Sequence, residues 1–309
     1  MDRRSFLLAA AAAPLALRTQ LPSALVTADT EAHVAVVDLL SGIVKRRIAT
    51  RPGPRSIERV GESAVVAHTA VGEVSIVHHL AVRHVLGGFE EPRYTAAALD
   101  GRHAFVTDSG NASLATVDVV RGELVARLKL RLWPRHLSLS RDGRTLWIAL
   151  GTASPELAVV DVGNPRSPFV RGRVRPPVPA HDVGFSPSGR VWVTAGDARS
   201  ITVYDGTEAR TLPADTAPQH VTFLHGRAFV TSGDDGTLRV YDEPSAQLLR
   251  TTPVPVGSYN VQYAAGRVLT PSLGRGTLCV LDDRGRLREQ AKVASSSHDA
   301  CLAGPLTRN

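Results

Sequence analysis

Apolar and polar residues along the chain alternate in short runs of β-branched and small side chains, and those runs recur. The clearest unit closes on an acidic or polar residue: His33–Asp38, Glu73–His78, Ser113–Asp118, Glu156–Asp161, Ser200–Asp205, Thr237–Asp242 and Thr277–Asp282. The closing positions 38, 78, 118, 161, 205, 242 and 282 are nearly evenly spaced. A period of about 40 residues with strand-type patterning predicts a propeller or a solenoid. Before each unit lies a second strand ending in small and polar residues, as in Ala104–Gly110, Val191–Gly196 and Ala228–Gly233, which supply a tight turn. Upstream again is an inner strand, often introduced by proline, and downstream a fourth, more polar strand such as Val44–Thr50, Leu124–Leu130 or Gln247–Thr252. Arginines on that outermost strand discourage edge pairing.

Four antiparallel strands repeated seven times predict an all-β, seven-bladed β-propeller. Residues 24–29 read as a second strand, so the first blade lacks an inner strand; residues 297–304 read as an inner strand with no blade after it. The C-terminal strand is therefore expected to join the N-terminal blade and close the ring, making residues 19–309 a single domain.

The N-terminal segment, residues 1–18, has a different character. Arg3 and Arg4 precede Phe6–Leu17, an uncharged apolar run. Such a run falls short of the roughly 20 residues a spanning helix needs, so it reads as a removable signal peptide and not as an anchor. Arg3-Arg4-x-Phe6-Leu7 is similar to the twin-arginine motif, with Asp2 where Ser or Thr is usual. The expected location is periplasmic or extracellular, in a bacterium.

Composition narrows the function classes. The chain of 309 residues is 43% hydrophobic and carries 36 Lys+Arg against 29 Asp+Glu, a formal charge of +7. All but Lys45, Lys129 and Lys292 of those bases are arginines, spread along the chain. A diffuse excess of this kind does not make a nucleic-acid patch, and no nucleic-acid partner is expected. Two cysteines, Cys279 and Cys301, exclude a disulfide-stapled scaffold or a cysteine-rich metal site and read as buried free thiols.

The second and third strands, as in Phe105–Asn111 running into Leu114–Asp118, resemble the YVTN-type β-propeller repeat across the mature chain. Ser232–Asp242 also resembles a WD40 blade, although a regular Gly-His and a terminal Trp-Asp are missing. The resemblance implies blade packing, and a group that includes lactone hydrolases and redox-enzyme subunits. It assigns no chemistry by itself.

Function is expected where the inner strands begin, around the mouth of the central channel. Aligning those strands puts Arg55, Arg93, Arg135, His181, Gln219, Tyr259 and His298 at one equivalent position, followed by Ser56, Tyr94, His136, Asp182, His220, Asn260 and Asp299. Three arginines on consecutive blades suit a carboxylate or phosphate; bonding to backbone carbonyls between blades is their alternative role. His136, His181, His220 and His298 have the ligand type for copper or zinc, without any tight motif spacing. For the lactone hydrolysis that the resemblance implies, the protein would use His136 or His181 as base and Arg93 or Arg135 to polarise the carbonyl. As an interaction module it would use Trp133, Tyr94 and Tyr259. The leading expectation is a monomeric binding protein for an anionic small molecule or a protein or cell-envelope partner. Lactone hydrolysis, and a metal-binding or redox-accessory role, are the alternatives; no cofactor is assigned.

Overall fold

The computed structural model describes residues 22–151 and 154–303. The expected leader over residues 1–18 lies outside them. Seven four-stranded antiparallel sheets make up the described residues, together with one helical turn at Thr69–Val71. In blade 2 the order is Pro54–Val60, Ser63–His68, Glu73–His78 and Ala81–Leu86, from the axis outward. Blades 3 to 7 repeat it, beginning at Pro92, Leu137, Asp182, Val221 and Gln262. Blade 1 is closed by Ala300–Leu302, which pairs antiparallel with Ser23–Ala28 and so supplies the missing inner strand.

Packing explains why the second and third strands are apolar at nearly every position and not at alternate ones. Ser23–Ala28, His103–Asp108 and Ser113–Asp118 are buried along their whole length. Each blade is covered on both faces by its neighbours, so both sides of these strands meet a core. That core is a set of layers between blades. Phe105 and Leu114 of blade 3 pack with Leu146, Ile148 and Val160 of blade 4. Trp192 and Ile201 of blade 5 pack with Ala228 and Val230 of blade 6. Ala24 and Val26 of blade 1 pack with Leu269 and Val280 of blade 7. Cys279 and Cys301 are both buried and free.

The recurrent aspartate has a local cause. Asp38, Asp118, Asp161, Asp242 and Asp282 each accept hydrogen bonds from backbone amides two to four residues further on, folding the turn into the outer strand.

The inner strands depart from the expected pattern in one respect that matters for the site. In blade 4 the amide of Arg135 donates to the carbonyl of Ala149 while the amide of Ala149 donates to His136, so two residues face one. Gln219 and His220 share Thr231 in the same manner, and the registers of blades 2 and 3 shift at Pro54/Ser56 and Pro92/Thr95. These are β-bulges, which break the alternation and re-aim consecutive side chains. Regular pairing consequently begins only at Leu137 and Val221, beyond the aligned site positions of those blades.

Candidate functional site

A threonine in the second strand holds four of the aligned inner-strand starts from the adjacent blade. The Thr27 hydroxyl donates to the carbonyl of Arg55 (3.2 Å), Thr107 to that of Arg135 (2.7 Å), and Thr194 and Thr231 to those of Gln219 and Tyr259. Threonine and histidine side chains therefore serve these carbonyls between blades. No guanidinium of Arg55, Arg93 or Arg135 makes a backbone hydrogen bond among the described residues, so the alternative role for these arginines is not the one observed. The recurrent Val-Thr of the second strands was the available signal for the clamp.

The two aligned positions separate in space. Residues of the second position line the axial channel, a cavity of about 880 Å³ reaching from Tyr94, His136 and His220 to Leu302 at the far ends of the inner strands. Residues of the first position do not line that cavity. Arg55 lies 3.5 Å from the Asp29 carboxylate and Arg93 3.6 Å from Glu91, whereas Arg135 has no carboxylate partner among the described residues. The Arg93 and Arg135 guanidinium carbons sit 4.3 and 5.1 Å from the centroid of Trp133, whose indole N–H donates to Glu91 (2.9 Å). Gly151, at φ +81°, lets that ring approach; a Cβ there would be 3.1 Å from the indole. Burial, and then the neighbouring Arg135 charge, hold Arg93 below its ordinary basicity. The Nε–H groups of Arg55, Arg93 and Arg135 are all buried without an acceptor.

Gln219 and Tyr259 belong to a different arrangement. Both bind the Asp234 carboxylate, the tyrosine hydroxyl at 2.7 Å, and Gln219 also accepts from the Gly233 amide. They brace a turn of blade 6. Tyr94 is buried and lies against the His136 ring at 3.8 Å, which removes it from any partner-contact role; Trp133 remains 38% exposed.

Histidines from blades 4, 5 and 6 converge on the axis. One ring nitrogen from each of His136, His181 and His220 lies within 4.8 Å of the others. His136 Nδ1 is 2.6 Å from the His181 carbonyl, which can only accept, so Nδ1 carries the proton and Nε2 keeps its lone pair. That Nε2 has no partner. His220 Nδ1 lies 3.4 Å from Asp182, whose carboxylate is fixed by the amides of Val183 and Val221. His298 stands apart from the trio, with Nδ1 3.1 Å from the Arg55 carbonyl. Burial, reinforced by neighbouring positive groups, pushes His136, His181 and His298 well below the usual histidine range, so they are neutral at pH 7. Burial also raises two carboxyls that line the channel, Glu58 to about 8 and Asp299 to about 7, the Asp299 charge adding to the effect on Glu58.

No protein-family model matches the chain, and no curated protein matches it in sequence. Solved structures share its fold. The hydrazine synthase of Kuenenia stuttgartiensis superposes with a TM-score of 0.72 at 17% identity, over 84% of this chain and 91% of that one. Apo AztD from Citrobacter koseri gives 0.68 at 14% identity, over 91% and 98%. A 6-phosphogluconolactonase candidate from Bacteroides uniformis gives 0.72 at 13% identity, over 92% and 100%. Similarity at this level establishes the seven-bladed propeller and leaves function to the site.

Proposed function

We propose that the protein is an exported binding propeller that holds a small carboxylate- or phosphate-bearing molecule at the arginine side of its axis. The buried, acceptor-free Nε–H groups of Arg55, Arg93 and Arg135 carry this reading. Orphaned buried donors are costly, and an anion would satisfy them by charge-assisted bonds. Trp133 holds two of the guanidiniums in place, which lowers the cost of ordering them on binding. Export rests on Arg3, Arg4 and the apolar run after them; no helix among the described residues is long and apolar enough to cross a membrane. The YVTN-like pattern of the second and third strands is consistent with this scaffold role. Lactone hydrolysis fits less well, because His136 and His181 are too weakly basic to serve as efficient general bases at neutral pH.

Thermal shift against sugar acids, sugar phosphates, inorganic phosphate and lactones tests the proposal. An anion should raise the melting temperature, and Arg93→Ala or Arg135→Ala should weaken its binding about 10- to 100-fold, the worth of one hydrogen bond to a charged group. A shift undiminished in both variants, or none with any anion, refutes the arginine site; turnover of a lactone would restore the enzyme reading.

A further inference from the structure

The histidine trio answers a different chemistry from the guanidiniums, and nothing in its hydrogen bonding accounts for it. Three imidazoles, distant from one another in sequence, are brought by three blades to one point on the axis. Two have one nitrogen committed outward, to the His181 carbonyl and toward Asp182, leaving His136 Nε2 and the second nitrogen of His220 for the centre of the group. His136 is 2% exposed, so its orphaned Nε2 cannot be satisfied by bulk water. Packing three histidines this closely has no value to a hydrophobic core, because each brings a lone pair that must be matched.

We infer that His136, His181 and His220 form a binding site for one divalent ion of borderline softness, zinc or copper(II). Neutral imidazole suits both. Tetrahedral zinc with bonds of roughly 2.0–2.1 Å holds its nitrogens about 3.4 Å apart, so nitrogens that lie within 4.8 Å of one another reach it if each ring closes in by less than about 1 Å. The outward contacts supply what a histidine ligand needs behind it: a backbone carbonyl fixes the tautomer of His136 and aims its free nitrogen, and the Asp182 carboxylate faces His220. The Arg135 charge lies near His136 and His181, and the Asp182 carboxylate lies on the His220 side of the group. Three protein ligands leave one coordination position for water or an exogenous ligand. Glu62, His78 and His79 also bring ligand atoms within 4.8 Å of one another, but that group is largely exposed, and the His78 Nδ1 is engaged by Ser63 at 3.2 Å.

Zinc titration of chelator-stripped full-length protein, in competition with a chromophoric chelator at pH 7.5, should give one ion per chain. Cobalt(II) in its place should show the intense visible absorption of four-coordinate geometry, a readout that needs no variant. His136→Ala and His220→Ala should lower zinc affinity at least 100-fold, and Asp182→Asn, a positioning change, about 10- to 100-fold. His298→Ala and the double variant His78→Ala/His79→Ala should bind as the parent does. Should His136→Ala or His220→Ala fail to fold, His181→Ala, at the least buried member of the trio, provides the same test. Absence of stoichiometric zinc and copper binding by the parent, binding undiminished in the folded trio variants, or binding lost in His78→Ala/His79→Ala would each overturn the assignment. The arginine variants separate this site from the anion site: Arg93→Ala should leave zinc stoichiometry at one.

Discussion

Blade 3 contains two threonines that are equally buried and opposite in role, which allows the clamp to be tested by a single type of substitution. Thr107 and Thr116 are both 0% exposed. The Thr107 hydroxyl donates to the Arg135 carbonyl (2.7 Å) and accepts from the Tyr94 amide (3.2 Å), whereas the Thr116 hydroxyl has no partner. Replacing either by valine keeps the shape and opens no cavity. Thr107→Val strands one buried amide, costing about 1–3 kcal/mol, and one part-buried carbonyl, costing about 1 kcal/mol, so a loss of about 2–4 kcal/mol is expected. At about 2 °C per kcal/mol for a domain of this size, the melting temperature should fall by about 4–8 °C. Thr116→Val removes an unmatched hydroxyl and should be neutral or stabilising by up to about 1 kcal/mol. Urea denaturation of parent and both variants, with constant m-values, measures the difference. Because Thr107 positions Arg135, its variant should also bind anions less tightly, while Thr116→Val should not. Equal effects of the two substitutions on stability would refute the reasoning. So would a Thr107→Val stability within about 0.5 kcal/mol of the parent, the range of a change that touches nothing important.

Two further outcomes follow from the same geometry. Glu58 is raised by burial from its ordinary carboxylate range to about 8 and Asp299 to about 7, so the folded protein holds protons that the unfolded chain releases above pH 4–5; the stability this provides is full below that range and is lost as pH rises through 7 and 8. Histidines of the unfolded chain are largely neutral above pH 7 and its thiols largely protonated below pH 8, so denaturation at pH 7, 7.5 and 8 reports chiefly on the carboxylates. Glu58→Gln should flatten the decline across that window by up to about 1 kcal/mol, less whatever water in the channel screens, and an unchanged slope would show that Glu58 is already ionised. Deleting residues 296–309 removes the strand paired with Ala24–Val26 and uncovers the layers between blades 7, 1 and 2, so the truncated chain should melt at lower temperature or be cut rapidly by protease; an unchanged melting curve would contradict closure by this strand.

Much of the architecture was legible because propeller blades are local objects. A strand pattern, a tight turn and a terminal aspartate act within a single repeat of the chain, so Ser113–Asp118 and its six counterparts announce themselves, and Asp118 accepts from amides only two and three residues away. Even the closure could be read, since an inner strand without a blade at one end answered a blade without an inner strand at the other. The aligned site positions were also visible, from Arg55 to His298, as a column of equivalent residues.

Their division of labour was not. Alternation along a strand would send Arg135 and His136 to opposite faces, and it takes the bulge opposite Ala149 to redirect them. Gln219 and Tyr259 looked equivalent to the arginines, yet Asp234, a turn residue of blade 6, claims both. Meeting of His136, His181 and His220 depends on the angle between successive blades, set by packing of layers such as Trp147 against Tyr204 and Phe185. Sequence alone determined the repeat, its number and the residue types offered to the axis, because those follow from short-range backbone and hydrophobic patterning. Only the closed ring decided which of those side chains meet, which carboxylates lose their solvent and which donors are left without acceptors, because distance across the axis and exclusion of water arise from contacts between residues far apart in the chain.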